Sequence, residues 1–300
     1  MGDGPPSPGY PVRGPGPRGP VAAPPPRDQG ARVTDMNPGN DRQAGNAAPS
    51  DGPLSGCVAL VTGASSGIGA ATAMELARQG ADLALVARRT ERLEELAATV
   101  RKEGRSCAVL TADLQDAARA RQCVEDAVRE CGHLDVLVNN AGSLATGTVE
   151  EGDPEGWERM IDLNVRTVLH TSRQALPHLL RTASEGPRGV ADVVNISSVA
   201  GRLARPGNAV YAATKHAVGA LSESMRQEVT ARGVRVGLVE PGMTATELTA
   251  DSASASVARG MPPESWLRPE DIARAIAFMV TQPSRTAVNE ILVRPTAQEH

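Results

Sequence analysis

The residues best suited to chemistry are a tyrosine and a lysine that lie four positions apart. The chain contains only two tyrosines and two lysines, and one of each occurs at Tyr211 and Lys215. Residues at this spacing share one face of a helix, so the ammonium would lie beside the phenol. A nearby positive charge favours the phenolate, which suits proton transfer near neutral pH. A half-buried tyrosine with a lysine that extends to solvent is the alternative interpretation.

A glycine-rich turn between a short apolar strand and a helix predicts a dinucleotide site. Residues 57–61 suit a buried parallel strand, and the following helix ends at Gly80. Glycines allow a tight turn and a close approach to a pyrophosphate, and the helix N-terminus binds the phosphates. A purely structural turn is the alternative, because the spacing differs from the commoner G-x-G-x-x-G. The candidate coenzyme ligands in this turn are Gly63, Ser65, Ser66, Gly67, Ile68 and Gly69.

The end of the second strand, over residues 82–87, predicts which coenzyme binds. An NAD site usually places Asp or Glu there, to accept hydrogen bonds from the adenosine ribose. In this chain Ala87 is followed by Arg88 and Arg89. Guanidinium groups bind phosphate with two parallel hydrogen bonds, which suits the 2′-phosphate of NADP(H). We therefore expect NADPH to be preferred over NADH, with incidental surface arginines as the alternative.

Strands alternate with helices along the rest of the chain, which predicts an α/β fold with a doubly wound parallel sheet. Ligands on such a sheet bind beyond the carboxyl ends of its strands. Further strands are expected at 107–111, 134–138, 190–197, 234–239 and 291–293, with helices at 91–103, 116–131, 153–183, 209–232 and 270–280. Further coenzyme ligands expected at the strand ends are Asp113, Leu114, Asn140, Ala141, Gly142, Pro241, Gly242, Thr244 and Thr246. An ordinary turn capped by asparagine is the alternative for residues 139–142.

Two segments of unusual composition flank or interrupt this pattern. Residues 1–53 hold 13 of the 23 prolines and are predicted to be a disordered tail, or an over-long start, before a domain at 54–297. Residues 244–268 are small and polar, which is typical of a lid or of disorder.

Charge and composition exclude several classes of function. A net charge of −4 gives no electrostatic reason to expect nucleic acid. No apolar stretch is long enough to span a membrane. The four cysteines lack metal-binding spacing, so we expect no metal and reduced thiols in a cytoplasmic protein.

Taken in order, the motifs resemble the short-chain dehydrogenase/reductase family in its single-domain form. The resemblance implies one Rossmann domain, with a parallel seven-stranded sheet that carries helices on both faces, in a homodimer or homotetramer. Residues 289–296 are similar to the bacterial NADP-dependent 3-hydroxy acid dehydrogenase branch. The residues around Tyr211 and the run from Glu240 to Gly242 are similar to a reductase of the clavulanate pathway within that branch. The residues that carry the family resemblance are Thr62, Gly63, Gly67, Gly69, Asp113, Asn139 to Gly142, Asn164, Ser198, Tyr211, Lys215, Pro241, Gly242 and Thr246.

The resemblance also implies a role for each catalytic residue in reducing a small carbonyl compound, or in oxidising the alcohol. Tyr211 gives a proton while the nicotinamide of NADPH gives hydride. Lys215 lowers the pKa of Tyr211 and binds the nicotinamide ribose. Ser198, at the family offset of thirteen residues before Tyr211, binds the substrate oxygen, with Ser197 as its competitor. Asn164 holds a water that resupplies the proton.

Two other functions stay open at this point. A non-catalytic dinucleotide sensor uses the same fold. A sugar-nucleotide epimerase or dehydratase has a larger C-terminal domain than the 59 residues that follow Pro241. Arg202 and Arg205 are candidates for binding an anionic substrate group, with solvated loop arginines as the alternative.

Overall fold

The computed structural model describes residues 52–252 and 261–298, so almost all of the predicted tail lies outside the described residues. Their main feature is one parallel sheet. Its seven strands are β1 (Val58–Thr62), β2 (Asp82–Ala87), β3 (Cys107–Thr111), β4 (Val136–Asn139), β5 (Ala191–Ile196), β6 (Val234–Pro241) and β7 (Glu290–Val293). The strands lie in the order β3-β2-β1-β4-β5-β6-β7 and every neighbouring pair is parallel.

Helices cover both faces of the sheet. They are α1 (Gly67–Arg78), α2 (Thr90–Lys102), α3 (Ala117–Cys131), α4 (Pro154–Ile161), α5 (Thr167–Glu185), α6 (Ala209–Val229) and α7 (Pro269–Val280). Because strand side chains alternate between faces, Ala59 and Val61 pack in the core with α1, α2 and α7. Val58 and Leu60 pack in the opposite core with α3, α5 and α6. The predicted doubly wound fold is confirmed.

A helical segment runs through the range predicted at 153–183, but its winding is not regular throughout. A π-helical turn at Asp162–Arg166 separates α4 from α5. A π turn holds one more residue than an α turn and often occurs at functional sites. It contains Asn164, which is 1% exposed. The asparagine that disfavours a regular helix therefore lies where the helix changes its winding.

The strand order reverses between β1 and β4, which both extend toward the same edge of the sheet. β1 pairs with β2 on one side and with β4 on the other, Val61 lying opposite both Leu85 and Val138. In a sheet of this kind the reversal opens a crevice at the carboxyl ends of the strands. The connections that leave β1 to β6 at this edge carry the predicted site.

The predicted lid at 244–268 has regular structure in its described parts. Short 3₁₀ segments occupy Glu247–Ser252 and Pro263–Ser265. A bridge joins Thr244 to Leu267, so the two described ends are held together. Residues 253–260 lie outside the described residues. Across both described ranges, none of the helices is long and apolar enough to cross a membrane.

Candidate active site

Tyr211 and Lys215 lie in the first two turns of α6 and face the carboxyl end of β5. Lys215 is buried, with 6% of its surface exposed, and Nζ donates a hydrogen bond to the Ile196 carbonyl at 2.9 Å. The same Nζ lies 5.7 Å from the centre of the Tyr211 ring. The structure therefore brings together the pair that the sequence predicted.

Ser198 lies two residues beyond the end of β5, with its side chain beside the Tyr211 phenol, whose pKa it lowers. The Ser198 Oγ also accepts a hydrogen bond from the Ala200 N–H at 3.1 Å. The neighbouring Ser197 points elsewhere, because its hydroxyl donates to the Lys215 carbonyl at 3.0 Å. Of the two serines, Ser198 is the one beside the phenol, and Ser197 fastens α6 to the end of β5.

Burial controls the ionisation of the Tyr211–Lys215 pair. It raises the pKa of Tyr211, and the hydrogen bond with Ser198 opposes this. Burial lowers the pKa of Lys215 to about 8. Burial outweighs the influence of Ser198 on Tyr211, and the expected lowering of the Tyr211 pKa by Lys215 stays a prediction. Near pH 7 the arrangement is a neutral phenol beside a largely protonated amine, which suits a proton donor.

Asn164 connects the π turn to both the β4 loop and α6. Its Oδ1 accepts from the Ser143 N–H at 2.8 Å, and its Nδ2 donates to the Ser143 carbonyl at 3.0 Å. The same Nδ2 donates to Thr214 Oγ1 at 3.1 Å, and Thr214 in turn donates to the Tyr211 carbonyl at 2.7 Å. The Asn164 side chain therefore positions the helix that carries Tyr211, and its predicted water-holding role stays a prediction.

The glycine turn after β1 is held against the end of β4. Asn140 Nδ2 donates to the Thr62 carbonyl at 2.9 Å and to the Gly63 carbonyl at 3.3 Å. Thr62 Oγ1 accepts from the backbone N–H groups of Asn140 and Ala141, each at 3.0 Å. These bonds join two predicted coenzyme segments at the point where strand order reverses.

The start of α1 has the features of a phosphate site. Ser66 precedes the helix without capping it through its side chain, and no acidic residue occupies the first turn, so the first N–H groups suit an anion. Gly67 has a φ of +54°, and a Cβ there would lie 3.1 Å from the Thr246 methyl group. At Gly69 a Cβ would lie 2.3 Å from the Gly63 carbonyl oxygen. A cleft of about 520 Å³ runs between this turn and residues 245–250.

Arg89 lies beside this cleft and contacts two of the residues that line it, Ser66 and Glu247. Its Nη2 donates to Ser66 Oγ at 2.7 Å and to Ser65 Oγ at 3.1 Å. The Arg88 side chain is exposed, and the hydrogen bonds to Ser65 and Ser66 come from Arg89 instead. The two arginines predicted as equivalent candidates are therefore different, and Arg89 is the one directed at the glycine turn.

The other predicted coenzyme residues lie along the same edge at varying distances from this turn. A Cβ on Gly142 would lie 3.2 Å from Asn164 Oδ1 and 3.8 Å from Lys215 Nζ, so Gly142 borders the catalytic group. Asp113 is exposed beyond β3 and contacts its own loop, and the Leu114 carbonyl accepts from Thr167. The remaining members of the set are Ile68 in α1 and Pro241, Gly242, Thr244 and Thr246 at and beyond the end of β6.

Arg202 and Arg205, the two candidates for binding an anionic substrate group, also lie in different surroundings. Arg202 Nε donates to the buried Glu240 at 2.6 Å, and Nη2 also contacts Glu290. These carboxylates raise the pKa of Arg202 and neutralise its charge, so it is a poor candidate for an anionic substrate. Arg205 is exposed, and its role as a substrate ligand stays a prediction.

The sequence did not predict the polar contacts that position the site. Thr62 and Asn139 were named only as motif residues, and Asn139 is buried and forms hydrogen bonds with Asn195, Ser172 and Thr171, which join β4 to β5 and α5. Thr214 was missed, although it lies between the catalytic pair. Nothing local pointed to Ser143 or Glu247, because their partners are distant in the chain.

Relatives and solved structures agree with this geometry. The sequence model of the short chain dehydrogenase family matches residues 57–256. Glycine betaine reductase ATRR of Emericella nidulans is 40% identical over 247 residues, which are 81% of this chain but 19% of that longer protein. Among solved structures, an alcohol dehydrogenase from Thermococcus sibiricus complexed with 5-hydroxy-NADP has a TM-score of 0.72 at 29% identity, and the match covers 81% of this chain and 98% of that one.

A second solved structure, a short chain dehydrogenase from Burkholderia cenocepacia in complex with NADP, has a TM-score of 0.73 at 29% identity. That match covers 82% of this chain and 99% of the other. The family match covers the glycine turn, Asn164, Ser198, Tyr211 and Lys215 together. The chain therefore belongs to the short-chain dehydrogenase family.

Proposed function

We propose that this chain is an NADP(H)-dependent oxidoreductase that interconverts a carbonyl group and an alcohol, acting chiefly as a reductase. The observation that carries the proposal is the contact between Ser198 and Tyr211, with Lys215 buried behind the phenol. These groups lie at the sheet edge that also holds the glycine turn. A proton donor beside a dinucleotide site is the combination that carbonyl reduction needs.

The residues at the glycine turn fit a coenzyme with a 2′-phosphate. The uncapped start of α1 provides N–H groups for the pyrophosphate. Arg89, Ser65 and Ser66 form a donor set suited to the 2′-phosphate, and Ala87 leaves no carboxylate at the end of β2. NADP and an NADP derivative in the two structural relatives support the same choice.

Each catalytic side chain has a defined task in this mechanism. When bound, the nicotinamide supplies hydride to the carbonyl carbon. Tyr211 gives its phenolic proton to the oxygen, so the carbonyl becomes an alcohol and the tyrosine a phenolate. Ser198 donates a hydrogen bond to the oxygen as negative charge develops there. The protonated Lys215 stabilises the phenolate, because opposite charges attract strongly where water is excluded.

Proton supply and rigidity complete the mechanism. We assign to Asn164 the water that returns a proton toward Lys215 and Tyr211, at a turn where its side chain already fastens Ser143 and Thr214. The coenzyme ligands are the predicted set in the glycine turn and at the ends of β3, β4 and β6, together with Arg89 beyond β2. The substrate ligands are Ser198 and Tyr211, with Arg205 reserved for an anionic substrate.

An assay with a panel of carbonyl compounds tests the proposal against its alternatives. NADPH is mixed with the protein and with ketones, aldehydes and 3-oxo acids, and the loss of NADPH absorbance is followed. A reductase consumes NADPH in proportion to the alcohol formed. A sensor would bind NADPH without turnover, and an epimerase would show no net change in the coenzyme; either result would contradict the proposal.

Replacing Arg89 tests the coenzyme preference. In Arg89→Ala the ratio of kcat/KM with NADPH to that with NADH is expected to fall about 10- to 100-fold, since charge-assisted hydrogen bonds to the 2′-phosphate are lost. Arg88→Ala is the matched control and should change the ratio a few-fold at most, because Arg88 does not contact the serines. Equal losses in the two variants would contradict the assignment to Arg89.

The remaining assignments are also proposals. We place the protein in the cytoplasm, with its four cysteines as free thiols. A homodimer or homotetramer stays a proposal that rests on the family resemblance. The catalytic domain is assigned to residues 54–297 and the disordered tail to 1–53. The 3-hydroxy acid dehydrogenase and clavulanate-pathway resemblances stay predictions of the substrate class.

A further inference from the structure

Glu247 occupies an unexpected position beside the coenzyme site. It begins the 3₁₀ segment Glu247–Ser252 and lies directly after Thr246, whose methyl group borders Gly67. Its Oε2 lies 2.8 Å from Arg89 Nη1. A carboxylate from beyond β6 therefore reaches the arginine that follows β2, across the mouth of the glycine turn.

This contact uses the donors of Arg89 that a phosphate needs. Nε and Nη2 are directed at Ser65 and Ser66, and Nη1 is directed at Glu247. A carboxylate and a phosphate oxygen accept from guanidinium in the same manner. The Glu247 carboxylate thus occupies a donor of the guanidinium group to which the proposed function assigns the ribose 2′-phosphate.

We propose that Glu247 is a coenzyme-specificity residue that competes with the 2′-phosphate of NADP(H) for Arg89. The inference rests on the proposed function, because it needs Arg89 to bind that phosphate. A phosphate monoester carries a charge near −2 and cannot share the guanidinium with a carboxylate without strong repulsion. Glu247 therefore lowers the preference for NADPH that Arg89 creates, and its carboxylate moves away when the phosphate binds.

The exposure of the Arg89 and Glu247 side chains determines how strongly Glu247 should affect the affinity for the 2′-phosphate. Arg89 and Glu247 have side chains that are 44% and 56% exposed, so water and salt screen their attraction. An exposed ion pair of this kind contributes little to stability by itself. The carboxylate also repels a doubly charged phosphate, and the two effects together predict about a three- to tenfold change in the affinity for a 2′-phosphate.

Two nucleotide fragments test this without catalysis. Binding of adenosine 2′,5′-bisphosphate and of AMP is measured by calorimetry at one fixed ionic strength, with the full chain and its variants. Glu247→Gln is expected to bind the bisphosphate about three- to tenfold more tightly, with AMP binding unchanged. Glu264→Gln removes the same charge from an exposed site on the described end of the same loop, and should change neither affinity.

A double variant distinguishes competition from general repulsion. If Glu247 acts through Arg89, its replacement has a much smaller effect in the Arg89→Ala background than in the natural chain. An effect of the same size in both backgrounds overturns the inference. Equal tightening of AMP and the bisphosphate, or no tightening of either, overturns it as well.

If the proposed function is wrong, the same measurements give a different pattern of binding affinities. If the natural chain does not bind the bisphosphate more tightly than AMP and Arg89→Ala changes neither affinity, the 2′-phosphate site itself is wrong. The inference about Glu247 then fails together with it. If the natural chain discriminates through Arg89 and Glu247→Gln does not alter that discrimination, the proposed function stands and only the inference about Glu247 fails.

Discussion

Tyr211→Phe is expected to lower kcat/KM for NADPH-dependent carbonyl reduction about 10²- to 10⁴-fold, the usual contribution of a positioned proton donor. The substitution removes the hydroxyl that contacts Ser198 and keeps the ring beside Lys215. Tyr211 is the only tyrosine among the described residues, so no second phenol replaces it. The hydride donor is untouched, and the loss therefore falls on the chemical step.

Two measurements separate this loss from damage to the fold. NADPH affinity, measured by direct binding, should change by less than about threefold, since a phenylalanine ring keeps the packing of α6. The melting temperature should stay the same or rise, because burial raises the pKa of Tyr211 and shows that its environment is poorly solvated. Reduction at a near-normal rate by Tyr211→Phe would overturn the mechanism.

Lys215→Met is expected to separate activity from stability. Activity should fall about 10²- to 10³-fold, because the phenolate loses its neighbouring charge. The melting temperature should rise, since burial lowers the Lys215 pKa to about 8 and the buried ammonium is therefore costly below that pH. The cost is about 3 kcal/mol, and losing the hydrogen bond to the Ile196 carbonyl offsets about 1–2 kcal/mol of it. A rise of about 2–6 °C follows for a domain of this size.

Calorimetric unfolding and steady-state kinetics on one preparation check both parts. Lys102→Met is the matched control, because Lys102 is the exposed lysine at the end of α2. It should leave the rate unchanged and the melting temperature within about 1 °C, as expected for an exposed surface position. A lower melting temperature in Lys215→Met would mean that its hydrogen bond outweighs its burial.

The same pKa predicts that activity and stability respond to pH in opposite directions. The native pKa of Lys215 is about 8, below its ordinary value of 10.5. Above pH 8 the folded protein holds fewer protons at this site than the unfolded chain, so its contribution makes stability rise with pH until about pH 10. The raised pKa of Tyr211 reverses the trend at higher pH. Reductase activity should fall above pH 8, as the ammonium is lost.

Local patterns were sufficient to predict the sheet and most of the site. The turn from β1 through Gly63 to α1 is determined by residues near one another in the chain, and its strand, turn and helix all occur as predicted. Tyr211 and Lys215 are four residues apart, so any regular helix brings them together. Parallel topology then places these segments at one edge without further information.

Features that depend on distant partners were not predictable in this way. The contact between Arg89 and Glu247 joins residues 158 positions apart, and Arg202 finds Glu290 88 positions away. Local sequence described both arginines as surface groups near a ligand. Tertiary packing alone decides which of the two guanidinium groups can bind a ligand. The π turn was missed for another reason, since a change of one residue in helical winding leaves the apolar pattern almost intact.

That π turn has a consequence for the evolution and engineering of this protein. Asp162–Arg166 behaves as a one-residue insertion between α4 and α5. Deleting one residue there would restore a regular helix with both halves in their present orientation, and it would remove the winding that holds Asn164 against Thr214. Deleting one residue within α5 would instead rotate the rest of that helix by about 100°, and its Ala175 and Leu179 side would leave the core. Segment 154–185 should therefore tolerate a shorter length only at the π turn, at the cost of the Asn164 contact.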